Sequence, residues 1–351
     1  MRIRRRSKVF CATYLAAQML TSAAHADNAE PLDTATVAQE SDASANPAAA
    51  DSAPSLIDEL LAEFDAEQGL LSSQLENYAR HTDAFFGDDR AFEDNNETQG
   101  QVSVGIFPKE AQGARFDFRV RVKVDLPRTK KRMRLLIESD PRELGTTTAT
   151  TAPTPVEAAQ SASYALAIET QLKDTGEWNL SNAAGIKISS WPPDPYLRIR
   201  AVRYEALDLW LARFATGASY YVVKGPIASA QLDFDRAWVS DVLFRASSTI
   251  EWKKDLEKGS TELTNATQQF TLFQDVSERI SLAYSVGVQG DDDPKWWVDS
   301  YFATVSYRQN LYKKWLYGTV SPELTFPRDR EFSATWGIML RLEAYAGRRY
   351  R

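Results

Sequence analysis

Asp233 and Asp235 fall two residues apart, on one side of an extended segment, and Asp291-Asp292-Asp293 sets three carboxylates in a row. Grouped carboxylates can hold a hard cation such as Ca²⁺, which takes oxygen ligands. Acid runs in loops are more commonly just solvated, so no metal site is assigned. Nucleophilic chemistry is poorly supplied. The two histidines are His25 and His81, and none follows residue 81, so a serine or a water would lack the usual base near neutral pH. The only cysteine is Cys11, which leaves the rest of the chain without a thiolate. No phosphate-binding glycine loop, dinucleotide fingerprint or zinc spacing is visible, and basic residues share their faces with acids. The reading is therefore of a non-enzymatic chain with no catalytic residue, no cofactor and no nucleic-acid partner.

What the chain does repeat is charge alternating with oil. Phe116, Phe118, Val120, Val122 and Val124 alternate with Asp117, Arg119, Arg121, Lys123 and Asp125. Trp336, Ile338, Leu340, Leu342 and Ala344 alternate likewise with Gly337, Met339, Arg341 and Glu343. A strand turns successive side chains to opposite faces, so each such segment has one apolar and one polar side. Fourteen segments of this kind, from 100–107 to 331–346, can be marked within residues 98–351, with twelve as the alternative count. The three between Lys295 and Tyr345 are each long enough to cross a bilayer at a tilt, which takes about 9–11 residues. Tryptophans gather near the segment ends, where membrane barrels carry their interfacial girdles.

If the apolar faces meet lipid, the polar faces line a lumen. That assigns Arg119, Arg121, Lys123, Arg132, Arg134, Glu138, Arg198, Arg200, Asp233, Asp235, Arg245, Glu251, Arg308, Glu323, Arg341 and Glu343 to the inner wall. Charged rings select solutes by field and diameter, and the early strands are the more basic, which favours anions there. A salt-bridged, closed lumen is the competing reading, because the two signs are nearly balanced.

The N-terminal part is different in kind. Residues 1–26 read as a Sec-type signal peptide, with Arg2, Arg4, Arg5, Arg6 and Lys8 ahead of an apolar core and Ala24-His25-Ala26 at its end. Residues 27–54 are rich in Ala, Asp, Ser and Pro and read as a disordered linker. Residues 55–97 read as a short amphipathic helix followed by an acidic connector beginning at Asp83. Its apolar stripe is Ile57, Leu60, Leu61, Phe64, Leu71, Leu75 and Tyr78. Such a stripe can self-associate, engage a periplasmic partner, plug a pore or lie against a barrel rim. Residues 27–97 carry a net charge of −16, against +4 for residues 98–351.

A signal peptide, no later cysteine, alternating strands of about ten residues and an amphipathic last strand together resemble the outer-membrane β-barrel proteins of Gram-negative bacteria. The resemblance covers residues 98–351 and rests on pattern, not on a signature motif. It implies an all-β antiparallel barrel in the outer membrane, contact with lipid and lipopolysaccharide, and assembly by the barrel-insertion machinery. Such chains usually end on an aromatic residue, whereas this one ends Arg348-Arg349-Tyr350-Arg351. The expected function is a pore for small solutes. The alternative is a non-conducting structural or docking barrel that works through its leader helix.

Overall fold

The computed structural model describes residues 74–87, 90, 92, 98–110, 113–126, 133–139, 164–175, 178–188, 191–239, 241–257, 259–293 and 295–347. The expected signal peptide and linker, Ile57, Leu60, Leu61, Phe64, Leu71, Arg132 and the last four residues lie outside these. A helix, α1, covers residues 74–86.

Fourteen strands follow: β1 (Gln99–Lys109), β2 (Gly113–Asp125), β3 (Met133–Ser139), β4 (Tyr164–Thr175) and β5 (Trp178–Ile188) open the series. Next come β6 (Asp194–Leu207), β7 (Trp210–Tyr221), β8 (Gly225–Val239), β9 (Val242–Asp255) and β10 (Thr261–Ser277). The last four are β11 (Ile280–Asp291), β12 (Trp297–Tyr312), β13 (Leu316–Pro327) and β14 (Thr335–Gly347). Each pairs antiparallel with its sequence neighbours, and β14 pairs back onto β1, from Gln99 opposite Gly347 to Lys109 opposite Gly337. The sheet is a closed barrel of fourteen strands, the expected fold, and closure leaves no strand edge unpaired.

The alternation orients the wall. Val104, Phe118, Leu166, Ile199, Phe270, Val286 and Leu340 are exposed on the outer face. Their neighbours Ser103, Asp117, Ala165, Thr271, Ser285 and Met339 are buried on the inner one. One barrel end carries the tight links, such as Leu207 to Trp210 and Val239 to Val242, together with the start of β1 and the end of β14. The other end carries the longer connections, including the one between Ser139 and Tyr164. Aromatic residues ring both ends. Guanidiniums lie over several rings: Arg203 over Trp178 at 5.4 Å, Arg236 over Trp210 at 5.3 Å and Arg328 over Trp297 at 5.8 Å.

Candidate functional site: the barrel lumen and the segment lodged in it

Every described residue of the sequence-derived lumen set lies on the inward side of its strand. Arg119, Arg121, Lys123, Arg134, Asp233, Asp235, Arg245, Arg308, Glu323 and Glu343 are buried there. Glu138, Arg198, Arg200, Glu251 and Arg341 are half-buried. Burial this deep needs something filling the lumen, and at the short-turn end the chain's own residues 74–87, 90 and 92 do so.

Helix α1 presents an apolar side to β7–β13. Leu75 and Ala79 join one buried cluster with Leu211, Leu243, Phe273 and Ala283, and Tyr78 packs against it. Phe86 meets the Phe273 ring at 5.1 Å, and Phe85 meets Tyr317 edge-on at 5.5 Å. Burial, and after it the charge of Asp275, pushes the Tyr78 phenol up. His81 and Arg80 remain exposed; Arg80 lies over the Tyr204 ring of β6 at 5.7 Å and pairs with Glu76 one turn earlier at 2.6 Å.

The sequence reading of an irregular acidic connector from Asp83 onward is corrected here. Helix α1 continues through residue 86, and Thr82, Asp83, Arg90 and Phe92 are buried. The reason is pairing. Asp83 accepts from the Arg245 guanidinium at 2.7 Å and lies 3.5 Å from Arg90. Arg90 in turn lies 3.6 Å from Asp233 and 3.5 Å from Asp235. On the wall, Arg245 grips Asp235 with two hydrogen bonds of 2.6 and 2.9 Å. Arg213 donates to Asp233 at 3.2 Å, and the Gln231 amide donates to the same carboxylate at 2.8 Å. Three guanidiniums and three carboxylates thus form one buried network. A charge is tolerable in such a place only when paired and hydrogen-bonded.

A second cluster sits at the barrel seam. Arg308 on β12 pairs with Glu343 on β14 and donates to Thr319 at 2.8 Å and to the Tyr345 hydroxyl at 3.0 Å. Gln101 on β1 donates to Glu343 at 3.0 Å, so four strands share one polar knot. Gly87 packs onto it with φ +64°, and a Cβ there would overlap the Tyr345 hydroxyl. Glycine suits both demands, the left-handed turn that ends α1 and the close approach. Beyond Arg90, Phe92 lies under Arg121 and Lys123 at 5.5 and 5.6 Å, and its carbonyl accepts from Gln99 and Lys123 at 2.8 and 3.2 Å. The segment therefore crosses the mouth from β10 and β11 to β2.

The charge is not shared evenly around the wall. Among the residues whose side chains are described, the inner face of β2–β6 carries seven bases, Arg119, Arg121, Lys123, Arg134, Lys187, Arg198 and Arg200. Five acids face them: Asp117, Asp125, Glu138, Glu169 and Asp194. Asp194 is engaged locally, accepting from the backbone N–H groups of Val223 and Lys224 at 2.8 and 3.1 Å. Towards the long-loop end the same wall turns apolar, with Leu136, Ala167, Tyr196, Tyr221 and Ile227 in one buried cluster. The Tyr196 and Tyr221 rings stack there at 5.1 Å.

Arg213, Asp83 and Arg90 escaped the sequence reading. Around Arg213 the inner face of β7 is Leu211, on which α1 packs, Ala215 and Gly217, so no polar face stands out. Arg90 carried a weak signal, as one of only two bases in an otherwise acidic stretch. Among the described residues no group of three or more His, Cys, Asp or Glu side chains is arranged to hold a metal ion.

No family model matches the chain, and no curated protein sequence matches it. Solved structures that match include the outer membrane channel DcaP of Acinetobacter baumannii, at 8% identity over 71% of this chain and 96% of that one, TM-score 0.43. An anion-selective porin from Comamonas acidovorans matches at 8% identity over 71% and 98%, TM-score 0.42. OmpT, an outer membrane protein of Vibrio cholerae, matches at 7% identity over 71% and 97%, TM-score 0.43.

Proposed function

We propose that this chain is an outer-membrane β-barrel that passes small solutes, with a preference for anions, through a lumen closed at its short-turn end by residues 74–92. The observation that carries the reading is the inversion of the sheet. Its exposed outer face is apolar between two aromatic rings, while its inner face is charged. In water the apolar face would be a large unprotected patch, whereas in a bilayer it is the required surface. The basic surplus on β2–β6, with Arg198 and Arg200 half-exposed inside, supports the anion preference. The short-turn end and its lodged segment are placed on the periplasmic side, as barrels of this class arrange their turns.

A non-conducting docking barrel is the second reading, favoured by the filled mouth. Leu75 and Tyr78, the described members of the helix stripe, already pack on the wall, so they are not offered to a partner in this state. The test is single-channel recording of the detergent-extracted protein in planar bilayers under a KCl gradient. Anion-selective steps are expected. Silence at every voltage, from both the full chain and a chain lacking residues 27–97 that still run faster unheated than boiled on an SDS gel, overturns the pore reading.

A further inference from the structure

We propose that residues 74–92 are a displaceable gate and not a fixed part of the barrel core; this rests on the pore reading above. Three observations carry it. The sheet closes without the segment, since every strand pairs with two other strands and β14 reaches β1 directly. What holds the segment's far end is side-chain contact, Gln99 and Lys123 on the Phe92 carbonyl and Arg121 and Lys123 over its ring, with no strand pairing.

Charge is the second observation. On the wall, Arg245 holds Asp235 with two hydrogen bonds and Arg213 holds Asp233, so those four groups are matched among themselves. To the buried network the segment brings one carboxylate and one guanidinium, Asp83 and Arg90, already 3.5 Å apart, while its exposed Glu76 and Arg80 pair with each other. Within that network, undocking therefore separates two neutral sets. An unpaired buried ion would forbid that movement, because its desolvation is so costly. The charged groups on both faces are hydratable, so water can replace the ion pairs as the segment leaves, while the apolar contacts of Leu75, Ala79 and Phe86 favour the docked state.

The third observation is the seat of Gly87. Its positive φ and its fit against the Tyr345 hydroxyl make a docking point that admits no side chain. This point lies on the seam cluster of Arg308, Glu343 and Tyr345, which holds itself together through its own hydrogen bonds.

The experiment is bilayer recording of the full chain, of Gly87→Val and of Arg90→Asp, which sets a fourth carboxylate among Asp83, Asp233 and Asp235. Each barrel is first checked by its heat-dependent mobility on gels, and Arg90→Asp, a change off the sheet, carries the test if Gly87→Val fails to insert. Each substitution is expected to raise open probability about tenfold or more, the change produced by losing ~1.4 kcal/mol of docking energy. Cysteines at Ala79 and Ala283, linked through a flexible bis-maleimide spacer in the Arg90→Asp background, should return the channel to the closed level. If all these proteins conduct alike, tethered or not, the gate fails and the pore stands. If folded Gly87→Val and Arg90→Asp are both silent, the pore reading falls and takes the gate with it.

Discussion

On β7–β9 each inward-facing guanidinium meets a carboxylate on the adjacent strand, Arg213 with Asp233 and Arg245 with Asp235, and all four are fully buried. On β2–β6 seven bases face five acids, and Arg198 and Arg200 keep part of their surface exposed inside the barrel. Both walls come from the same alternating pattern, and both would be drawn alike on a strand diagram. The contrast shows that the inner face has two uses. Matched charges can be dried, so a segment of protein can be seated on them. On the other wall Arg121 and Lys123 are likewise dry beneath Phe92, whereas Arg198 and Arg200 keep surface inside the barrel, so that stretch belongs to the open part of the lumen.

The largest effect expected from breaking this contrast is at the matched wall. Asp235→Leu deprives Arg245 of two hydrogen bonds and Arg90 of a neighbouring carboxylate, leaving buried positive charge uncompensated. A loss of about 3–5 kcal/mol is expected, read as a lower midpoint for denaturant unfolding of the detergent-solubilised barrel. Adding Arg245→Leu removes both members of that wall pair and should recover most of the loss. On the surplus wall, Arg198→Gln should stay within about 0.5 kcal/mol. Equal costs at Asp235 and Arg198 would erase the distinction.

Next in size is a change that tests inside against outside. Val286 sits near the middle of β11 on the exposed face, beside buried Ser285. Arginine at that depth of a bilayer costs about 2–4 kcal/mol. Val286→Arg should lower folding yield into lipid vesicles by that measure. If the variant instead folds as well as the parent into lipid, the outer face does not meet acyl chains.

The surplus wall has its own reading, in selectivity. Arg198→Glu with Arg200→Glu reverses two charges where the lumen is wet, and the reversal potential in a KCl gradient should move towards the cation value. Exchanging partners on the matched wall, Arg213→Asp with Asp233→Arg, keeps the sum and should leave selectivity near the parent's. The comparison is best made in the Gly87→Val background, where the mouth is expected to be open.

How far this contrast was legible in the sequence differs from face to face. The outer face and the strands were fully readable, because lipid exposure demands apolar residues at every second position. Phe116, Phe118, Val120 and Val122 announce their strand unaided, and the fourteen predicted segments match the fourteen strands to within a few residues at their ends. The lumen residues were legible by the same parity. Their partners were not, since Asp83 and Arg245 stand 162 residues apart and nothing local links them. The acidic stretch after Asp83 read as a solvated connector because charge in a leader usually is solvated. Only the wall's geometry shows that Asp83 and Arg90 fill a place prepared for one charge of each sign. Arg213 was hidden for a related reason, because its neighbours on the inner face of β7 are apolar and blur the alternation.

The smallest expected effect bears on where the contrast stops. Trp178 opens β5 on the surplus side and Trp210 opens β7 on the matched side, each at the short-turn end with a guanidinium over its ring. An exposed cation–π contact is worth about 0.5–1 kcal/mol. Trp178→Leu and Trp210→Leu should each cost that much, and about equally, in the same denaturant midpoint used for Asp235→Leu. The two rings face the same interface, whatever charge lies behind them across one layer of backbone. A Trp210 effect several times that of Trp178 would mean that the seated segment braces the wall through to its outer surface. The matched wall would then be part of a single rigid body with α1, and its pairs could not part as two neutral sets.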